Sequence, residues 1–195
     1  MKIRDSGMPE EATWESFFDP ARTLAVLGFD DPNADVVDFG CGYGTFAIAA
    51  ASLTLGIVHC YDIDPAMVAA TLQRAAGHHL PNLRPEVRDF VASGTGLPPG
   101  CADYVMLFNV LHAEEPMTLL AETRRVLRPG GKVAVMHWNY DATTPRGPSL
   151  TIRPRPERIR AWLVAAGFSV PAAPSALPPY HYGFVARKPI ASWSE

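Results

Sequence analysis

The sequence predicts an α/β fold with an open parallel sheet, and two stretches carry that expectation. The first is Val36-Val37-Asp38-Phe39-Gly40-Cys41-Gly42-Tyr43-Gly44, a short apolar run that ends in an acid and passes into glycines at alternate positions. Such a run reads as a buried strand that turns tightly into a helix. The second is His59-Cys60-Tyr61-Asp62-Ile63-Asp64-Pro65, another strand ending in acid, with Asp64 placed to cap the next helix and Pro65 to open it. In open parallel sheets, ligands bind in the crevice beyond the carboxyl ends of the strands, where glycines allow close approach to the backbone.

The spacing and charge of these stretches bear on the ligand. Gly40, Gly42 and Gly44 are spaced two and two, whereas the dinucleotide fingerprint has its third glycine where this chain has Thr45. A carboxylate such as Asp38 at the mouth of the loop repels pyrophosphate and attracts positive charge. Asp62 follows Gly40 by roughly 20 residues, the distance at which an acid accepts hydrogen bonds from ribose hydroxyls. Two acids, a ribose site and no phosphate grip describe S-adenosylmethionine better than a nicotinamide dinucleotide.

With these stretches stand Arg88-Asp89-Phe90, Leu107-Phe108-Asn109-Val110-Leu111-His112 and Arg125-Val126-Leu127-Arg128-Pro129-Gly130-Gly131-Lys132. On these five motifs the chain resembles the class I S-adenosylmethionine-dependent methyltransferases across residues 34 to 138. The resemblance implies a three-layer sandwich with a Rossmann-like, mainly parallel seven-stranded sheet, helices on both faces and the last strand antiparallel. It implies cofactor contacts at Asp38, Gly40, Cys41, Gly42, Asp62, Ile63, Asp89, Phe90 and Asn109. Asp89 would accept from the adenine amino group and Phe90 pack on the ring, roles that suit a carboxylate and a flat apolar face. Nucleic-acid amino-methyltransferases carry Asn or Asp, then Pro-Pro and an aromatic, where this chain has Asn109-Val110-Leu111; Pro178-Pro179-Tyr180 comes too late to replace that motif.

Taken in order, residues 9 to 28 spread Trp14, Phe17, Phe18, Leu24 and Leu27 in a helix-like pattern. The resemblance places such a leading segment over the cofactor, with Met8, Trp14 and Phe18 as candidate pocket walls. Thr45 to Leu55 reads as an alanine-rich helix stopped by Gly56, and Ile57 to Tyr61 as the second strand. A helix from Pro65, a strand over 83–87, a loop from Val91 to Gly100 and a strand from Tyr104 to Asn109 follow. Pro116 opens a helix faced by Leu119, Leu120, Thr123 and Leu127, and Pro129-Gly130-Gly131 turns it into a strand over 132–138. Asn139 to Pro154 is loop, placed by fold analogy at the ligand edge. Pro156 opens a helix ended by Gly167, and Phe168 to Ala172 with Tyr180 to Arg187 read as a closing strand pair. Arg146, Arg153, Arg155, Arg158 and Arg160 read as a solvated basic loop.

At 195 residues and 48% hydrophobic, the chain is most simply one domain over 1–195, with 1–33 as a helical extension. A net charge of -3 argues against a nucleic-acid grip. No apolar stretch is long enough to span a bilayer and the first residues lack a signal-peptide apolar region, so a cytoplasmic protein is expected. Cys41, Cys60 and Cys101 lack paired metal spacing, and neither they nor His78-His79 suggest a metal site.

The expected activity is methyl transfer to a small-molecule acceptor; a nicotinamide oxidoreductase or a non-catalytic cofactor-binding module are the alternatives. Alignment of nucleophile, carbon and sulfur does most of that work, so no catalytic residue is obligatory. If a base is used, His112, after the fourth strand at the ligand edge, is the candidate, with an acidic limb near pH 6 to 7; His181 is second choice.

Overall fold

A computed structural model describes residues 9–190. The strands are β1 (Val36–Phe39), β2 (Val58–Asp62), β3 (Leu83–Val87), β4 (Ala102–Phe108), β5 (Leu127–Trp138), β6 (Ser175–Leu177) and β7 (His181–Arg187). They form one seven-stranded sheet in the order β3-β2-β1-β4-β5-β7-β6. The first five pair in parallel, and β7 runs antiparallel to both β5 and β6. The helices are α1 (Glu11–Glu15), α2 (Pro20–Val26), α3 (Thr45–Leu53), α4 (Pro65–Gly77), α5 (Phe90–Ser93), α6 (Pro116–Val126) and α7 (Pro156–Ala165). No helix among the described residues is long and apolar enough to cross a membrane.

Successive strand residues point to opposite faces, so each strand feeds two cores. Val37, Phe39, Val105, Leu107 and Val135 pack with Leu119 and Leu120 of α6 and Ile159 and Leu163 of α7. Val36, Cys60, Met106 and Met136 pack with Leu24 of α2, Phe46, Ala47 and Ala50 of α3, and Ala75 of α4. By the same alternation Asp38 shares the face of Val36. An acid therefore occupies what the strand pattern makes a core position, and only 3% of it is exposed.

Several element boundaries differ from expectation for identifiable reasons. Asp19 accepts from the Arg22 amide and Pro20 starts α2, so residues 9 to 28 break into two short helices rather than one. Helix α3 stops at Leu53; Gly56 instead lets the chain pass Ala34, whose carbonyl oxygen would lie 2.2 Å from an added Cβ. The stretch after Asp89 begins with a helical turn, α5, because the Asp89 carboxylate accepts from Ala92 N at 3.0 Å. Pro129-Gly130-Gly131 lies within β5, where the pairing with β4 jumps from Ala102 opposite Leu127 to Tyr104 opposite Lys132. The closing pair is β6 with β7. Phe168 to Ala172 contributes only a bridge from Ser169 to Arg187, and the proline-flanked Ser175–Leu177 takes the sheet edge, where unpaired backbone is tolerated.

The sheet order reverses between β1 and β4, which makes the crevice beyond their carboxyl ends the topological switch point of the fold.

Candidate functional site

The loop after β1 is built by three left-handed glycines, Gly40, Gly42 and Gly44, with φ of 81°, 53° and 77°. Gly40 N and Cys41 N both donate to Tyr61 O, at 2.8 and 2.9 Å, which folds the loop back over β2. An added Cβ would lie 2.8 Å from Val110 Cγ1 at Gly40 and 2.7 Å from Thr71 Cγ2 at Gly44. Positive φ and close approach together account for the alternate-glycine spacing. Gly44 leads directly into α3.

Asp62 braces this loop. Its Oδ2 accepts from Gly42 N and its Oδ1 from Asp64 N, both at 2.9 Å. Burial pushes its carboxyl up, and the two amides oppose that push. Asp38 has no such help: its side chain has no hydrogen-bond partner among the described residues, and burial followed by the nearby charge of Asp62 pushes it up to about 8. A buried carboxyl in this state is an unmet demand for a cation.

These groups line one cavity of about 490 Å³, within the usual range for small-ligand sites. Asp38, Gly40, Cys41, Gly42, Asp62, Ile63, Asp89, Phe90 and Asn109 are all in its wall, so the structure brings together every residue the motifs singled out for the cofactor. The Phe90 ring also packs toward the core, 5.2 Å from and nearly perpendicular to that of Phe39. Ile63 and Val91 add apolar wall.

The same cavity has aromatic wall: Phe46, Phe108 and Trp138 line it, with the Phe46 and Phe108 rings edge to face at 4.8 Å. Trp14 of α1 lines it as well. That segment is tied down by Tyr43 Oη, which donates to Pro9 O at 2.9 Å, and by Arg74, which pairs with Glu11 and Glu15 and donates to Tyr43 O. Of the other expected walls, Phe18 sits behind the cavity against Phe46 and His181, and Met8 lies outside the described residues.

Arg146, Gly147 and Pro148 reach the cavity from the loop after β5. Arg153 holds that loop from within: its guanidinium donates to the carbonyls of Asn139, Asp141, Arg146 and Pro148 and to Thr144 Oγ1. It is 8% exposed, so the expectation of a wholly solvated basic loop fails at this residue. The other arginines have local partners: Arg155 lies over the Tyr140 ring, Arg158 over Trp162, and Arg160 donates to Pro171 O.

His112 lines the cavity and is 7% exposed. Its Nδ1 lies 3.3 Å from Nε2 of His137 on β5. Burial first, then the charge of Arg153, pushes it down to about 4, well below the range of a free imidazole. His181 is absent from the cavity wall, held between Trp138 at 4.1 Å and Phe18 at 4.8 Å. Three polar groups in the wall, Thr45 Oγ1, the Asn109 amide and His112 Nε2, are buried with no hydrogen-bond partner. Buried polar groups without partners are rare in native proteins and mark places where a ligand completes the bonding. Sequence reasoning missed Thr45, Phe46 and Trp138, because each reads there as an ordinary helix or strand residue.

Residues 37–135 match a family described as "Methyltransferase domain". The chain belongs to that family, and its fold and motifs make it a class I S-adenosylmethionine-dependent methyltransferase domain. It is 38% identical over 109 residues to a ribosomal protein L11 methyltransferase of Methylococcus capsulatus, covering 54% of this chain and 34% of that relative. The chain thus spans about a third of that relative's length. Among solved structures, a SAM-dependent methyltransferase from Aquifex aeolicus superposes with a TM-score of 0.81 at 21% identity, covering 92% of this chain and 94% of the other. The [4+2]-cyclase SpnF superposes with a TM-score of 0.75 at 18% identity, covering 88% and 81%. At these identities the two structures speak to the fold alone.

The cavity fits S-adenosylmethionine on its own features: a cradle of left-handed glycines, an acid partly free to take ribose hydroxyls, and a buried carboxyl that a sulfonium or ammonium would neutralise. Among the described residues, no group of three or more acidic, histidine or cysteine side chains is arranged to hold a metal.

Proposed function

We propose that this chain transfers the methyl group of S-adenosylmethionine to a small-molecule acceptor. The observation that carries this reading is the cavity's mixed lining. Acids and left-handed glycines in its wall suit the cofactor, and aromatic rings with unpartnered neutral polar groups in the same wall suit a compact, largely apolar acceptor. Asp38, Asp62 and the glycine loop hold the cofactor, with Ile63, Asp89 and Phe90 at the adenine and Asn109 near the methionine portion. When bound, S-adenosylmethionine would supply an electrophilic methyl carbon with its sulfur as the leaving group. His112 Nε2 takes the proton of the acceptor's O–H or N–H as that atom attacks. Trp14 and the 146–148 loop restrict water at the reacting groups.

A protein acceptor is the second reading, favoured by the likeness to a ribosomal protein L11 methyltransferase. A nicotinamide oxidoreductase is disfavoured by the two-and-two spacing of Gly40, Gly42 and Gly44 and by the acids Asp38 and Asp62 in the cavity wall. A cofactor-binding module that transfers nothing remains the third. Incubation with methyl-labelled S-adenosylmethionine and, separately, fractionated metabolites, ribosomal protein L11 and nucleic acid separates these readings. Label in a metabolite fraction is the expected result; label confined to protein or nucleic acid overturns the small-molecule assignment, and tight binding with no labelled product overturns transfer.

A further inference from the structure

Between Trp138 at the end of β5 and Pro156 at the start of α7 the chain forms no helix or strand, yet Arg146, Gly147 and Pro148 of this stretch stand in the cavity wall. A connection longer than about 12–15 residues without secondary structure is usually either functional or disordered, and this one is held by a buried side chain. In the sheet, β5 lies beyond β4 from β1 and β2, whose ends carry the glycine loop and Asp62, so the stretch borders the cavity away from those cofactor residues. We infer that Arg153 is a positioning residue for the acceptor: by gripping the backbone on both sides of Gly147 it holds the 146–148 segment against Trp138 and fixes the wall that the acceptor meets. The inference rests on the proposed methyl transfer in this cavity and adds which residue shapes it for the acceptor.

All three guanidinium nitrogens take part. Nε donates to Pro148 O at 2.9 Å and Nη2 to Arg146 O at 3.3 Å, the carbonyls on either side of Gly147. Nη1 donates to Asn139 O at 2.9 Å, Asp141 O at 3.2 Å and Thr144 Oγ1 at 2.6 Å. Among the described residues every acceptor on this guanidinium is neutral, since the Asp141 carboxylate accepts from Thr143 N and Oγ1, both at 2.8 Å. Burying a cation without a carboxylate is costly, and the oxygens gathered around it must offset that cost, which favours one shape of the loop. A lysine ammonium is a point charge and cannot reach acceptors spread around a plane.

Gly147 transmits the grip to the cavity. Its φ is 113°, and an added Cβ would lie 2.8 Å from both Arg153 Nη2 and Trp138 Cγ. The backbone is therefore wedged between the guanidinium and the indole, with no room for a side chain. Both ends of the stretch are tied separately: Asn139 N donates to Tyr180 O, and Tyr182 Oη donates to Pro154 O, each at 2.8 Å. With the ends fixed, the place of the middle is left to Arg153.

The test compares Arg153→Lys with wild type at a temperature where both are folded, using as acceptor whichever fraction takes up labelled methyl. Hydrogen exchange is expected to quicken by about tenfold or more across residues 139–154, with the protection of β4 and β5 unchanged. Calorimetric affinity for S-adenosylmethionine is expected to stay within about twofold, while the amount of acceptor fraction that half-saturates transfer rises by about tenfold or more and the maximal rate changes less. Gly147→Ala, whose Cβ displaces the segment with the guanidinium still present, is expected to give the same split, and it carries the test if Arg153→Lys does not fold. An unchanged half-saturating amount in a folded variant overturns the positioning role, and so does a loss of cofactor affinity as large as the loss in transfer. Label found only in ribosomal protein L11 sinks the small-molecule reading instead, and the same split is then read on that protein. Wild type that labels no fraction defeats transfer itself and this role with it, a failure distinct from labelled product with an unaffected variant.

Discussion

Asp38 and Asp62 line one cavity, and the charge of Asp62 adds to burial in raising the Asp38 carboxyl to about 8. Asp62 is held by two backbone amides, and Asp38 by none. At neutral pH the ligand-free protein therefore carries Asp38 mostly protonated.

One consequence concerns stability. A carboxyl whose folded pKa exceeds its ordinary 3.8 favours folding fully below that value and loses this contribution as pH rises toward about 8. Asp38→Asn is expected to raise the melting temperature at pH 7, by about 2–4 °C for each kcal/mol gained, while weakening S-adenosylmethionine binding. A lower melting temperature in the variant would show that the carboxyl is satisfied in the ligand-free fold.

Cofactor binding should release this proton. A sulfonium and an ammonium favour the carboxylate, so calorimetry at pH 7 in buffers of different ionisation enthalpy is expected to show proton release on binding S-adenosylmethionine. Asp38→Asn should remove it. Equal apparent enthalpies in all buffers for wild type would contradict the placement of positive charge near Asp38.

The three buried histidines act in the opposite direction. Burial pushes His112 to about 4 and His181 to about 3, and holds His137 well below 6.5. Groups with depressed folded pKa values contribute stability above about pH 6.5 that is lost as pH falls toward the folded values, because the unfolded chain binds more protons. Asp38 partly masks this, so the Asp38→Asn background is the cleaner place to look. There the melting temperature should fall steeply between pH 6.5 and 4, and His181→Phe, which keeps a ring against Trp138 and Phe18, should flatten part of the fall. An unchanged profile in His181→Phe would mean the ring is already charged in the fold.

His112→Ala is expected to lower kcat by about 10²-fold or more, with cofactor affinity within a few-fold of wild type. Burial moves the expected acidic limb of the wild-type profile from the pH 6 to 7 of a free imidazole to near 4. A fully active variant would remove His112 from the reaction. His181 would not inherit the role, since it does not line the cavity.

The glycine and acid part of the cavity wall was legible because its chemistry is local: glycines that need positive φ and acids that end strands are visible within short stretches such as Gly40 to Gly44 and Tyr61 to Asp64. The rest of the wall was not. Thr45 and Phe46 come from α3 and Trp138 from β5, and only the pairing of β4 with β5 and the packing of α3 bring them to one wall. His137 reads as an interior strand residue, and nothing short of the sheet register places it beside His112. Strand β6 was missed because prolines around Ser175–Leu177 suggest loop, whereas a sheet edge accommodates them.

The binding of S-adenosylmethionine through the Asp62 end of the cavity is tested most directly by calorimetric titration of S-adenosylmethionine and NAD into wild type and Asp62→Ala. Asp62 accepts from Gly42 N and Asp64 N and is proposed to take the ribose hydroxyls, so its loss would remove charged hydrogen bonds of both kinds. Wild type is expected to bind S-adenosylmethionine and not NAD, with Asp62→Ala weaker by about 1.5–3 kcal/mol, roughly 10- to 150-fold. NAD binding as tight as S-adenosylmethionine, or an Asp62→Ala protein with unchanged affinity, would contradict the assignment.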